Sequence, residues 1–363
     1  MKNTFGNNLT VTLFGESHGE AIGAVIDGIT PGIAVNNEFI ETLLLRRRPH
    51  GKISTPRSEA DPFQILSGVF DGKTTGTPIC IIIPNGDTQS KDYEATRFLA
   101  RPSHADFTAN CKYHGFEDYR GGGHFSGRIT AALVAVGGIL IPALESKGIK
   151  IGTHIKQIGS ISDREFNDIE NDISKLNNMD FAVLDDEKSE EMNNEILKAR
   201  EQGDSIGGIL ETAVIGLPCG LGEPWFDTVE GMLSHALFSI PAVKGVEFGA
   251  GFNFASMYGS KANDSFEIKD GKVITATNNS GGINGGITNG MPIVFRTAFR
   301  PTPTISKPQN TIDMSKGENA VLEATGRHDP CIVHRARVVA DSVTAIVLAD
   351  MLIGRYGTDW LVK

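Results

Sequence analysis

The residues of this 363-residue chain best suited to chemistry are arginines and histidines set among glycines. Gly15-Glu-Ser-His-Gly19 places Ser17 beside His18. A lone histidine is by default a buried structural group, but flanking glycines permit a tight backbone that brings His18 near a ligand. Arg46-Arg47-Arg48-Pro49 ends a predicted helix. One or two of its arginines offset the helix dipole, and at least one must face inward, where a guanidinium requires a carboxylate or phosphate. Arg101-Pro-Ser-His-Ala-Asp106 packs Arg101, His104 and Asp106 into six residues. Tyr119-Arg-Gly-Gly-Gly-His-Phe-Ser-Gly-Arg128 is the strongest signal, a glycine run feeding a helix N-terminus with Ser126 and Arg128 on its first turn. Free N–H groups and a positive dipole end suit an anion there. Gly281-Gly-Ile-Asn-Gly-Gly-Ile287, Arg300-Pro-Thr-Pro-Thr304 and Gly326-Arg-His-Asp-Pro330 add weaker signals of the same kind. Together they predict a site for a small, multiply anionic substrate.

Other chemistries fit poorly. Ser67 to Thr74 nearly matches a phosphate-binding P-loop, but its first glycine is Ser67 and it falls in a hairpin, which removes the helix N-terminus such a loop needs. No Gly-x-Gly-x-x-Gly follows a strand, which disfavours a dinucleotide fold. No histidine pair has zinc spacing, and no Gly-x-Ser-x-Gly elbow is present. Four scattered cysteines with no Cys-x-x-Cys pair point to free thiols in a reducing cytoplasm rather than disulfides. The start of the chain lacks signal-peptide character, and the apolar run Ala131–Leu144 is too short and too glycine-rich to span a membrane. The formal charge is −10, but residues 161–204 hold 14 acidic against 5 basic side chains. The rest is nearly neutral, so its arginines dominate local fields, and no basic run with aromatics suggests nucleic acid.

The elements that must position these residues follow from periodicity and caps. Leu9–Phe14 and Ala21–Asp27 read as strands flanking the Ser17–His18 loop. Asn37 caps a helix over Glu38–Arg48 that Pro49 stops. Gln64–Phe70 and Pro78–Ile83 form a hairpin around Asp71-Gly72. A long helix runs from about Ser126 to Ser146, with Gly137-Gly138 marking close packing or a kink. Asp185–Gln202 is a second helix, Ile206–Ile215 and Gly245–Phe252 are strands, one or two more strands follow before Phe299, and Val338–Tyr356 is a closing apolar helix. Strand–turn–strand pairs outnumber strand–helix–strand units, so the fold class is α+β rather than doubly wound. With no Pro/Ser linker, residues 1–363 read as one domain carrying a peripheral acidic helical excursion at about 161–204.

Taken in order, GESHG at 15–19, RRRP at 46–49, RPSHAD at 101–106, YRGGG at 119–123, GDSIGG at 203–208, GLGEP at 220–224, GGINGGI at 281–287 and GRHDPC at 326–331 resemble the chorismate synthases. The resemblance spans nearly the whole chain. It implies a β-α-β sandwich of antiparallel sheets and helices, usually a homotetramer, cytoplasmic, binding neither membrane nor nucleic acid. It implies a carbon–oxygen lyase of the shikimate pathway to aromatic amino acids, which makes chorismate from 5-enolpyruvylshikimate 3-phosphate by 1,4-anti elimination of phosphate. It further implies reduced FMN without net redox change, NADPH serving only indirectly through a separate flavin reductase. By position, Arg47, Arg48, Lys52, Arg101, Arg128 and Arg327 resemble substrate ligands, and Arg57 falls near Lys52. His18 resembles the acid at the leaving phosphate, with Ser17 beside it. His104 resembles the histidine that stabilises reduced flavin, and Asp329 the carboxylate that helps deprotonate it. His124, Phe125, Ser126, Ala242, Gly285, Arg300, Pro301, Thr302, Pro303, Thr304 and Arg327 fall on flavin positions, Ser126 also on a catalytic one.

The chain departs from the family pattern at His124, Phe125, Gly127 and Ile129 after the triple glycine, at Pro241, and at Arg300 where lysine is usual. Those departures are the only support for a competing reading, a flavin- or phosphate-binding module without catalysis. A regulatory or scaffolding role for the acidic surface would leave the arginine motifs unexplained.

Overall fold

The computed structural model describes residues 2–49, 51–55, 60–86, 94, 96–323 and 329–362. The first half begins with strands Thr4–Phe5 (β1), Thr10–Gly15 (β2) and Ala21–Asp27 (β3), then helix Asn37–Arg47 (α1). Strands Gln64–Ser67 (β4), Val69–Phe70 (β5), Lys73–Thr74 (β6) and Ile79–Pro84 (β7) follow, then helices Asp106–Tyr113 (α2) and Thr130–Glu145 (α3). Strands β1, β2, β3, β7 and β4 form one five-stranded sheet in that order, antiparallel throughout. The Asp71-Gly72 turn closes the β5–β6 ladder, and β4 pairs with β7 beyond it. The expected single hairpin is thus two ladders, because Gly68 at φ +79° bends the strand between them. The expected cap of α1 lies one residue earlier, where the Asn36 side chain accepts from the Phe39 N–H at 3.1 Å.

The second half contains Lys150–Ile158 (β8), Ile161–Ser162 (β9), Ile169–Leu176 (α4), Asp186–Glu201 (α5), Gly208–Ile215 (β10) and Val229–Leu237 (α6). It continues through Val243–Phe248 (β11), Gly259–Ala262 (α7), Phe266–Lys269 (β12), Lys272–Thr275 (β13), Ile283–Asn284 (β14) and Ile287–Thr288 (β15). Ile293–Phe299 (β16), Gln309–Asp313 (β17), Glu318–Leu322 (β18) and Val333–Tyr356 (α8) complete it. The second five-stranded sheet has the order β11-β16-β10-β8-β9. Helix α3 packs on β3 and β7 of the first sheet, α8 packs on β8 and β10 of the second, and α3, α1 and α8 pack on one another. The helices are the filling of a sandwich of two antiparallel sheets, an α+β fold.

That filling explains the glycine pair. A methyl group on Gly137 would stand 2.8 Å from the Ser342 Cα of α8, and one on Gly138 would stand 2.6 Å from Ile40 Cγ1 of α1. Two glycines let three helices meet nearly backbone to backbone. The stretch Gly127–Glu145 passes the length and composition test for a membrane-crossing helix, but it is 89% buried within the fold. The acidic excursion builds α4 and α5 over β8; Leu176, Ala182 and Leu184 form a small core of their own, and Met192 and Ile196 of α5 join the main one.

Candidate active site

Helix α1 delivers Arg47 at its end, and its guanidinium donates to the Asp61 carboxylate at 2.9 Å. Arg48 comes within 3.7 Å of the same carboxylate, and Arg128 at the entry to α3 bonds its other oxygen. The Asp61 side chain has no exposed surface. Burial by itself would raise its carboxyl, but Arg47 and Arg128 outweigh that and hold it below the ordinary range. The inward guanidinium expected of Arg46–Arg48 therefore exists, and its partner is an internal carboxylate that no motif announced. Three arginines thus converge on one buried carboxylate.

Asn85, just after β7, joins this cluster to the Ser17–His18 loop. Its Oδ1 accepts from Arg128 Nε at 3.0 Å, and its Nδ2 donates to the carbonyls of Glu16 at 3.0 Å and Gly19 at 2.9 Å. The same loop rests on the triple glycine. The Ser17 N–H donates to the Gly123 carbonyl at 3.1 Å, Ser17 Oγ lies 3.2 Å from both the Arg120 and Gly121 carbonyls, and His124 Nδ1 donates to the Gly15 carbonyl at 2.7 Å. Ser17 Oγ is also 3.2 Å from His18 Nδ1.

Gly121, Gly122 and Gly123 have φ of +56°, +88° and +53°, a region that L side chains rarely adopt. A methyl group on Gly121 would overlap the His18 ring, and one on Gly122 would stand 3.1 Å from His104 Cε1. Neighbouring glycines thus floor both histidines. His104 donates from Nδ1 to Asp106 at 2.9 Å, and Arg101 binds the same carboxylate through Nε at 2.8 Å and Nη2 at 2.7 Å. Burial opposes the Asp106 charge, but the hydrogen bonds from Arg101 and His104 hold this carboxyl far below its usual range. A pocket lies here, its wall including Arg97, Arg101, His104, Tyr119, Gly122 and Phe125. Phe125 is partly exposed, edge-on to Tyr113. Ser126 caps the turn entering α3 by accepting from the Arg128 N–H at 3.3 Å.

On the other side of the cluster, Asp329 accepts from the Thr55 N–H at 2.9 Å and is paired with Arg335, whose Nε donates to the Arg47 carbonyl at 2.9 Å. Lys52 is exposed, and its carbonyl accepts from Arg200. Arg57 and Arg327 lie outside the described residues. The 203–208 motif stitches two further segments together: the Ile206 N–H donates to the Pro330 carbonyl at 2.8 Å, and Ser205 Oγ donates to the Thr302 carbonyl at 2.7 Å. The Arg300 N–H donates to the carbonyl of Ala242, itself at φ +76°. Arg300 Nε and Thr302 Oγ1 are buried with no hydrogen-bond partner among the described residues. Such groups are costly unless a ligand satisfies them, so the segment Arg300–Thr304 suits a polar, anionic group. Gly285 belongs to another turn, open around its Cα, which is tied to the 220–229 loop through the Gly286 carbonyl.

The fold and site define a helix-filled sandwich of antiparallel sheets whose loops join an arginine cluster on Asp61 to the Ser17–His18 loop by hydrogen bonds, with His104 beside the same glycines. The family model described as "Chorismate synthase" matches residues 9–353. The chain is 46% identical over 358 residues to the chorismate synthase of Thermococcus kodakarensis, covering 99% of each. It is 48% identical over 350 residues to that of Pyrococcus abyssi, covering 96% of this chain and 97% of the relative. A solved structure described as "Crystal Structure of Chorismate Synthase" superposes with a TM-score of 0.77 at 33% identity, covering 98% of this chain and 95% of that one. The chain belongs to the chorismate synthase family.

Proposed function

We propose that the protein converts 5-enolpyruvylshikimate 3-phosphate to chorismate by 1,4-anti elimination of phosphate, with reduced FMN and no net redox change. What carries the reading is the continuity of one network. Arg47, Arg48 and Arg128 meet at Asp61, Asn85 passes from Arg128 to the Ser17–His18 loop, and that loop shares its glycine floor with His104. A substrate with one phosphate and two carboxylates calls for such a density of guanidinium groups.

In this reading the arginine cluster and Arg101 orient the substrate and offset its charge. Ser17 Oγ steadies the His18 ring at Nδ1, and His18 delivers a proton to the departing phosphate. Asp106 fixes the tautomer of His104 and keeps its charge beside Arg101. Asp329, anchored by Thr55 and Arg335, is a carboxylate for proton removal. The orphaned Arg300 and Thr302 groups, with Ala242 beside them, fit an FMN phosphate or ring carbonyl. Bound reduced flavin would supply electron density as the phosphate leaves, so that the non-acidic C6–H need not be broken by a base alone. His124 holds the Gly15 carbonyl, which gives it a loop-bracing part alongside the flavin contact that position implies. The chain is further proposed to act as one domain, as a cytoplasmic homotetramer, with flavin reduced by a separate NADPH-dependent reductase.

The test is anaerobic phosphate release from 5-enolpyruvylshikimate 3-phosphate. Release with reduced FMN and none with oxidised FMN is expected. Equal turnover without flavin would overturn the mechanism.

A further inference from the structure

We infer that Asn85 is a positioning residue that sets His18 against the arginine cluster, acting as a bracket between Arg128 and the 15–19 loop. The inference rests on the reaction proposed above.

All of the Asn85 amide is spent on this one junction. Its oxygen takes the Arg128 Nε–H, and its two N–H bonds go to the Glu16 and Gly19 carbonyls on either side of Ser17 and His18. Its backbone N–H donates to the Glu20 carbonyl at 3.0 Å, so the residue itself is fixed by the start of β3. On the far side Arg128 is fixed too: its Nη2 donates to the Pro84 carbonyl at 3.1 Å and its Nη1 bonds Asp61. Arg128 is only 8% exposed, so its guanidinium has little room to move. A side chain at position 85 must therefore accept once toward a buried cation and donate twice toward two carbonyls. Only a primary amide meets that demand at this length. Aspartate would keep the acceptor and present oxygen to both carbonyls. Alanine would remove the bracket altogether.

Displacement of a catalytic group by about 1 Å costs about 10²-fold in rate. Asn85→Ala and Asn85→Asp should lower kcat for phosphate release roughly 10–100-fold. Under this inference KM stays within about threefold for Asn85→Ala, because the Asp61 carboxylate still holds Arg47 and Arg128. The decisive measurement is a double-mutant cycle with His18→Ala. If Asn85 works through His18, either substitution at 85 changes kcat by less than about threefold once His18 is gone. Equal losses in both backgrounds overturn the inference, as does a kcat for Asn85→Asp close to that of the unaltered enzyme. Thermal unfolding of each variant identifies any that fails to fold, and Asn85→Asp serves where Asn85→Ala does not. If the unaltered enzyme releases no phosphate, the proposed reaction itself fails and this inference with it; an active enzyme with an additive cycle sinks the inference alone.

Discussion

Asp106 shows how much chemistry one carboxylate can organise. It receives the backbone N–H, Nε and Nη2 of Arg101 and the Nδ1 of His104, so replacing it disturbs a charge and a tautomer together. Asp106→Asn keeps the shape and removes the charge. We expect kcat to fall roughly 10–100-fold, by analogy with the loss of other histidine-orienting carboxylates. Wild-type kcat in a correctly folded Asp106→Asn variant would make the dyad structural only. The residue types at this site were legible from the sequence, since RPSHAD, GESHG and YRGGG each announce themselves. Asp61 and Asn85 were not. A single Asp or Asn in a loop carries no periodicity and no neighbouring motif, and its value comes from arginines 14 and 67 residues away for Asp61 and 43 for Asn85.

Among the elements, α3 depends most on an unusual sequence feature. Alanine in place of glycine gains up to about 1 kcal/mol of helix propensity, but at Gly137 the added methyl meets the backbone of Ser342 at 2.8 Å. Overpacking of this kind costs about 1–3 kcal/mol, so the steric term wins. Gly137→Ala should lower the unfolding midpoint in urea, and an unchanged or higher midpoint would refute close helix contact here. The sequence marked this pair for packing or a kink, and packing is what the fold uses. Strand β8 was missed altogether. It is buried along most of its length, yet carries Thr153, His154 and Lys156, so it has neither apolar alternation nor an apolar run. Its polar residues are satisfied across the sheet, by Thr212, Asp163 and Glu211 among others.

At the scale of the whole molecule, that buried row ties the acidic excursion to the second sheet. His154 donates from Nδ1 to Asp163 at 2.7 Å and pairs through Nε2 with Glu211 at 3.0 Å. Burial would lower the His154 pKa, but the two carboxylates outweigh it and raise the pKa above the ordinary histidine value. A raised folded-state pKa gives stabilisation that is complete below about pH 6.5, the unfolded value, and is lost as pH climbs through the folded value. At the acid end Asp61, Asp106 and Asp163, all held low, contribute stability present above about pH 4 and lost as pH falls through their folded values. The difference in unfolding free energy between the unaltered chain and His154→Gln should therefore be largest below about pH 6.5 and shrink as pH rises through the folded value. A difference independent of pH would mean that His154 has the same pKa folded and unfolded, and one that grows as pH rises would mean that His154 is neutral in the fold.

Local chemistry was in the sequence: glycine at φ-permissive turns, caps and proline stops at helix ends, and arginine and histidine clustered on glycine-rich loops. Those features are written within a few residues of one another, so periodicity and residue type suffice to read them. Which arginine meets which carboxylate, and that one amide bridges Arg128 to the His18 loop, was settled only when two sheets closed over a shared helical layer. Such contacts join positions far apart in the chain, and no local propensity encodes them. The arginine motifs first pointed to a bound anion; in the folded protein the three guanidiniums of Arg47, Arg48 and Arg128 are held first by Asp61, the residue the sequence alone could not single out.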